Sequence, residues 1–312
     1  MLIPLYIGID GRVRNVRIQT QDNVTIGAWH ILPADYYEKY QKHSKFDFNT
    51  IFDDALKDYD TFIYFHGNAL HRVSSWRIEF YKLFSSKFSH SNLIAIDYRG
   101  FGDSESTPTE EGLRLDAQGT LKWLNERQVT NDRISLIGHS LGTGVATTLA
   151  YEMAKSGQPA KSLILQAGYA SITTLVFEYN ILPYLPLLTP LTYYPVLEEW
   201  AISNINHRFN SLSRIQHVEC PVLIIYGTKD WEIPILNSHK LFYQAITIGD
   251  EEYSDIEGLV NKTVIRHVIP NEAVIYKSKQ KPQVNLVGVN HADHNNLGYF
   301  EITYESIKEI VE

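Results

Sequence analysis

An α/β architecture with a mostly parallel central sheet is what this chain of 312 residues predicts. Three observations carry that expectation. Six short apolar runs recur along the chain, helix-length segments separate them, and an alternating stretch precedes both. Continuous apolar runs suit strands covered on both faces, and strand–helix–strand repetition implies right-handed parallel crossovers.

In chain order, Arg12 to Leu32 alternates polar and apolar residues and reads as two antiparallel strands joined near Asp22-Asn23. The runs that follow are Thr61–Phe65, Leu93–Ile96, Ile134–Ile137, Leu163–Leu165, Val222–Tyr226 and Val284–Val289. Together these make a sheet of about eight strands. Between the second and third runs, Leu113, Ala117, Leu121 and Leu124 recur at steps of three or four, the face of an amphipathic helix. The whole of 1–312 reads as one domain.

Two segments break the rhythm. Residues 172–215 are rich in Pro, Tyr and Leu, and Pro183, Pro186, Pro190 and Pro195 forbid one continuous helix. An inserted cap is the expectation there. Residues 249–282 are polar, suit strand or loop, and suggest no chemistry of their own.

The composition, 44% hydrophobic and 21% charged, is that of an ordinary globular chain. A formal charge of −8 argues against a nucleic-acid surface. Cys220 is the single cysteine, which excludes an internal disulfide and reads as a small buried hydrophobe before a strand. Neither a signal peptide nor an uninterrupted apolar run long enough to span a membrane is evident.

The chemistry centres on Gly138-His139-Ser140-Leu141-Gly142, directly after the run ISLI and before the helix-forming TGVATTLAYEMA. A serine on a tight strand-to-helix turn, flanked by glycines, is exposed as a nucleophile above the sheet edge. A hydroxyl needs a base and an orienting carboxylate, here expected later in the chain. Asp230, just past the strand VLIIY, is the expected acid, with Glu232 as a rival. Beyond the last strand stand His291 and His294, and the residues alone leave the base open between them; Asp293 is a less natural acid. The amides of Leu141 and of Asn68, in His66-Gly67-Asn68-Ala69, are the expected oxyanion donors. His66 reads as structural, and Asp97-Tyr98-Arg99-Gly100-Phe101-Gly102-Asp103-Ser104 as a scaffold loop beside the nucleophile.

HGNA, DYRGFGDS, GHSLGTGVA and YGTKDWEIP together make the chain resemble the eukaryotic α/β-hydrolase-domain lipases that act on lysophosphatidylserine and monoacylglycerols. The likeness runs from Gly27-Ala28-Trp29-His30 to the C-terminal helix, and GHSLGTGVAT is its most selective part. It implies the α/β-hydrolase fold, Ser140 as nucleophile and Asp230 as acid. The family histidine precedes an Ile or Leu by three residues, which matches His294 with Leu297; Gly288, three residues before His291, supports the alternative. His294 is the choice. Mammalian members carry an N-terminal membrane helix that has no counterpart here, and 249–282 is longer than the family pattern.

The expected function is hydrolysis of a long-chain acyl ester, a lysophospholipid or monoacylglycerol, through an acyl-serine and without metal or cofactor. Leu185, Leu188 and Tyr193 are expected to bind substrate. They belong to a cap stripe of Leu182, Tyr184, Leu185, Leu187, Leu188, Leu191, Tyr193 and Tyr194, suited to an apolar tunnel or to peripheral contact with a bilayer. The setting this suggests is intracellular, at the endoplasmic reticulum or another membrane. An acyl-protein thioesterase would use the same groups, and a non-catalytic binding module could keep the same fold.

Overall fold

The computed structural model describes residues 11–41, 48–182, 185–186, 188, 192–205, 207–247, 253, 264–281 and 283–312. Of the expected elements, Pro183, Tyr184, Leu187, Pro190, Leu191 and most of 249–263 lie outside them.

Among the described residues ten strands form one sheet. In chain order they are β1 (Val13–Gln19), β2 (Thr25–Ile31), β3 (Asp60–Phe65), β4 (Ser91–Ile96), β5 (Ile134–His139) and β6 (Ser162–Gln166). A small separate hairpin follows, β7 (Asn180–Leu182) with β8 (Leu185–Pro186), then β9 (Val222–Gly227), β10 (Val264–Ile269), β11 (Ala273–Ser278) and β12 (Val284–Val289). The large sheet runs β1-β2-β4-β3-β5-β6-β9-β12-β11-β10. Its six central strands, β4 to β12 in that order, are mutually parallel, and an antiparallel pair extends each end.

The expected turn at Asp22-Asn23 is present, with Asn23 at φ 62° closing β1 onto β2. All six apolar runs are parallel strands. Ten strands replace the expected eight because β10 and β11 come from the polar 249–282 segment. β10 is an edge strand with most side chains exposed, so it lacks the apolar run that marks the central strands.

The central runs are continuous because both faces are covered. Along β9, Val222 and Ile224 pack into one core while Leu223 and Ile225 pack into the other. The helices that cover them are α1 (Ala34–Gln41), α2 (Phe48–Asp58), α3 (Ser75–Lys87), α4 (Glu110–Asn125) and α5 (Leu141–Lys155). Beyond these come α6 (Ile172–Glu178), α7 (Pro195–Ser203), the single turn α8 (Leu212–Ile215), α9 (Leu236–Ile246) and α10 (Glu301–Val311). Leu113, Ala117 and Leu124 form the buried face of α4.

No continuous helix occupies 172–215. The segment divides into α6, the β7–β8 hairpin, α7 with Pro195 in its first turn, and α8. Cys220 is buried, and burial pushes its thiol pKa up to about 12, so it is an inert core thiol. No helix among the described residues is long and apolar enough to cross a membrane.

Candidate active site

The sheet's parallel centre brings three loops to one edge, the carboxyl ends of β3, β5 and β9, and the loop after β12 joins them. Ser140 occupies the single residue between β5 and α5, at φ 50° and ψ −120°. Such a backbone costs on the order of 1–3 kcal/mol and persists only where its surroundings impose it. Here the Ser140 amide donates to Gln166 O at 2.9 Å, and Ser140 O accepts from the Thr143 amide at 2.8 Å and from Thr143 Oγ1 at 2.7 Å. Gly142 is demanded by packing: a Cβ there would lie 2.0 Å from the carbonyl oxygen of Phe65, which is main chain and cannot rotate away. The α5 amino terminus is therefore pressed against β3, directly under the serine.

Asp230 and His294 meet. His294 Nδ1 donates to Asp230 Oδ2 at 2.8 Å, and both side chains are almost fully buried. Asp230 Oδ1 accepts the amides of Glu232 (3.0 Å) and Ile233 (2.9 Å), so the carboxylate is fixed by its own loop. Backbone bonds join that loop to the histidine loop, Thr228 N to Val289 O at 3.0 Å and Lys229 N to Ala292 O at 2.8 Å. Gly227 allows the approach, since a Cβ on it would stand 2.4 Å from Ala292 O.

The two histidines have different surroundings. His291 is exposed, at φ 66°, and its amide donates to Thr228 Oγ1 at 3.0 Å; its side chain is absent from the lining of the cavity described below. Asp293 spends its carboxylate on the turn, accepting from the amides of Asn295 (2.9 Å) and Asn296 (3.0 Å). Burial pulls the His294 pKa down, yet the hydrogen bond to Asp230 and the charges of Asp230, Glu232 and Asp293 outweigh it, and the net effect is upward from 6.5.

A cavity of about 700 Å³ opens on Ser140 and His294 together. That lies within the range of roughly 300–1,000 Å³ usual for small-molecule sites. Asn68 and Leu141 line it, as do Leu113, Leu175, Val176 and Phe209 from the surrounding helices and loops. Of the residues expected to bind substrate, Leu188 lines this cavity, while Tyr193 does not and is 79% exposed. Leu185 contributes backbone to β8, and its side chain lies outside the described residues.

Two contributors, Arg77 and His139, carried no signal in their own right, and Glu232 carried a different one. Arg77, on α3 and 1% exposed, donates through Nη2 to Gly67 O and Ala69 O at 3.1 Å each, and through Nη1 to His71 O at 2.8 Å. Because a trans peptide sets its N–H opposite its carbonyl, pinning Gly67 O toward Arg77 turns the Asn68 amide away from it. The same bonds support Ala69 (φ 63°) and Leu70 (φ 57°), successive residues in left-handed backbone. His139, the variable residue of the serine motif, is buried; its Nε2–H donates to His294 O at 2.8 Å. Burial holds its pKa down to about 3, so it stays neutral and fixes the histidine loop without adding charge. Glu232, expected only as a rival acid, stands on the other side of the imidazole from Asp230, Oε2 3.8 Å from His294 Nε2.

The expected structural roles are visible too. His66 is fully buried with Nδ1 donating to Gly67 O at 2.7 Å. In the Asp97–Ser104 loop, Asp97 accepts the Arg72 amide at 2.6 Å and pairs with the Arg72 guanidinium, which also reaches Asp103 at 2.8 Å. Among the described residues no group of three or more His, Cys, Asp or Glu side chains is arranged to hold a metal ion.

The fold is that of the α/β hydrolases. The family model for the alpha/beta hydrolase fold matches residues 60–198. Within that class the chain is similar to lysophosphatidylserine lipase ABHD12 of Rattus norvegicus, 32% identical over 232 residues that cover 73% of this chain and 55% of the relative. The ABHD12 of Danio rerio is 29% identical over 273 residues, 86% of this chain and 68% of that one. The chain thus spans 55% of the length of the rat relative and somewhat more of the fish one. Among solved structures, an esterase of Pyrococcus furiosus superposes with a TM-score of 0.61 at 17% identity, covering 100% of this chain and 93% of that one. An α/β hydrolase of Vibrio vulnificus gives 0.62 at 15% identity, covering 97% and 81%. At those identities the likeness speaks to the fold.

Proposed function

We propose that this protein is a serine hydrolase of long-chain acyl esters, of the lysophospholipid or monoacylglycerol type. One observation carries the reading above all: the buried 2.8 Å bond between His294 Nδ1 and Asp230, opening with Ser140 on one cavity with apolar walls. The similarity to lipases that act on lysophosphatidylserine supports the substrate class.

Ser140 Oγ attacks the ester carbonyl as His294 Nε2 takes its proton, and Asp230 holds the imidazole with Nδ1–H toward itself. The amides of Asn68 and Leu141 receive the oxyanion. His294 then protonates the departing alcohol, and water activated by the same base releases the fatty acid. Residues 172–215 act as a cap on a single domain. Its exposed Tyr194, Val196 and Trp200, with Tyr193, support peripheral contact with a lipid surface.

A base must be neutral to work, and the pKa of His294 is raised. The acid limb of kcat/KM is accordingly expected above the ordinary 6.5, with activity growing as pH rises through it. Asp230→Asn removes the largest raising influences; it should move the limb downward and lower the rate by on the order of 10⁴. For stability the sign is opposite. The fold favours protonated His294, so its contribution is complete below the unfolded-chain pKa and is lost as pH rises through the higher folded value. A pH–rate profile of wild type and variant reads the limb directly, and an acid limb below 6.5 in the wild type contradicts the assignment.

The reaction itself is tested with a panel of one acyl chain carried on lysophosphatidylserine, other lysophospholipids, glycerol and a cysteine peptide, each in vesicles and as dispersed monomer. Turnover of the oxygen esters, faster from vesicles, is expected. Preferential turnover of the acyl-cysteine peptide would instead identify a thioesterase, and failure of a fluorophosphonate probe to label the wild type would identify a binding module.

A further inference from the structure

Glu232 is the residue of the site that the proposed mechanism leaves unused. Its carboxylate lines the cavity, with Oε2 3.8 Å from His294 Nε2, the nitrogen that must hand a proton to the departing alcohol. It is held there from both sides. Tyr179 Oη donates to Oε2 at 3.1 Å and Asn295 Nδ2 approaches Oε1 at 3.4 Å. Burial and this carboxylate push the Tyr179 pKa up to about 12, so the phenol keeps its proton and remains a donor. A carboxylate is an acceptor only, with more lone pairs than these two donors occupy. It therefore presents spare acceptor capacity where the alcohol half of an ester must sit.

Among the described lining residues, Arg77 carries the one guanidinium or ammonium that could offset a second negative charge. Besides the tyrosines Tyr169 and Tyr179, the cavity's ionisable lining comprises Glu110, Glu232, Arg77 and the histidines His139, His207 and His294. Glu110 is committed to the amides of Arg208 (2.6 Å) and Phe209 (3.0 Å). The guanidinium of Arg77 is committed to the carbonyls of Gly67, Ala69 and His71. The sequence, moreover, contains neither lysine nor arginine from 162 to 207, which takes in most of the segment above the site.

We propose that Glu232, held by Tyr179 and Asn295, selects the leaving group: it accepts hydrogen bonds from the hydroxyls of a neutral polyol ester and repels an ester whose alcohol carries a phosphate. This rests on the ester-hydrolase reading and narrows it to the alcohol half of the substrate. The physical basis is differential: a like charge placed opposite this half-buried carboxylate is penalised, while a hydroxyl there gains an acceptor.

The experiment compares kcat/KM for 1-oleoylglycerol and for 1-oleoyl-lysophosphatidate, which differ by the phosphate alone, in wild type and Glu232→Gln. Glutamine keeps the shape and an acceptor for Tyr179, and rates are read on the alkaline plateau, where His294 is neutral in both proteins. The wild type is expected to favour the glycerol ester by at least roughly tenfold, and the variant to lose about as large a factor of that preference. A wild type that favours the phosphate ester, or an unchanged ratio in the variant, overturns the inference alone. No turnover of either ester by the wild type overturns the hydrolase reading and this inference with it.

Discussion

Ser140→Ala is expected to lower kcat/KM for an acyl ester by on the order of 10⁴–10⁶-fold and to abolish labelling by a fluorophosphonate. The size follows from the role: without Oγ no acyl-enzyme forms, and only the oxyanion donors and substrate binding remain. The fold should be kept. The contacts that impose φ 50° on this residue run through its main chain, the amide to Gln166 O and the carbonyl from Thr143, and alanine retains both. Equal far-ultraviolet dichroism and a melting temperature within a few degrees of wild type would separate lost chemistry from lost structure. A fully active alanine variant would end the serine mechanism.

The second large effect is a contrast. His294→Ala should cost on the order of 10⁴ in kcat/KM, whereas His291→Ala should stay within about twofold. Both histidines stand five residues or fewer past β12, yet only His294 has its ring in the cavity and Asp230 behind it. His294→Ala should also reduce stability, because it strands the buried Asp230 carboxylate without its partner; such losses reach about 3–5 kcal/mol. His291 is exposed, and its removal leaves no orphaned group of that kind. Activity lost with His291 and kept with His294 would reverse the assignment.

Much of the sheet was legible because burial on both faces leaves a local mark. Ile134–Ile137 or Val284–Val289 cannot be half-polar and still lie inside, so each appears as an unbroken apolar run. The β10–β11 pair left no such mark. It sits at the sheet's end, where one side faces solvent and polar residues are tolerated. The cap region was legible only as an interruption, since prolines say where a helix cannot run and leave open how the pieces pack. Tyr193 shows the limit: its place in an apolar stripe suggested a cavity wall, yet it is exposed, because a stripe in sequence becomes a surface only when neighbouring elements decide which side they cover.

The sequence by itself determined the kind of chemistry on offer. A serine between glycines at a strand-to-helix junction, then an acid, then histidines is an order set by the covalent chain, and no packing alters it. Tertiary structure decided which groups meet. His294 rather than His291 reaches Asp230, Arg77 reaches back from α3 to pin the Gly67–Ala69 loop, and Glu232 faces the His294 imidazole from the side opposite Asp230. Those choices depend on distances of a few ångströms between segments up to 64 residues apart in the chain, and linear order holds no information about directions in which side chains finally point.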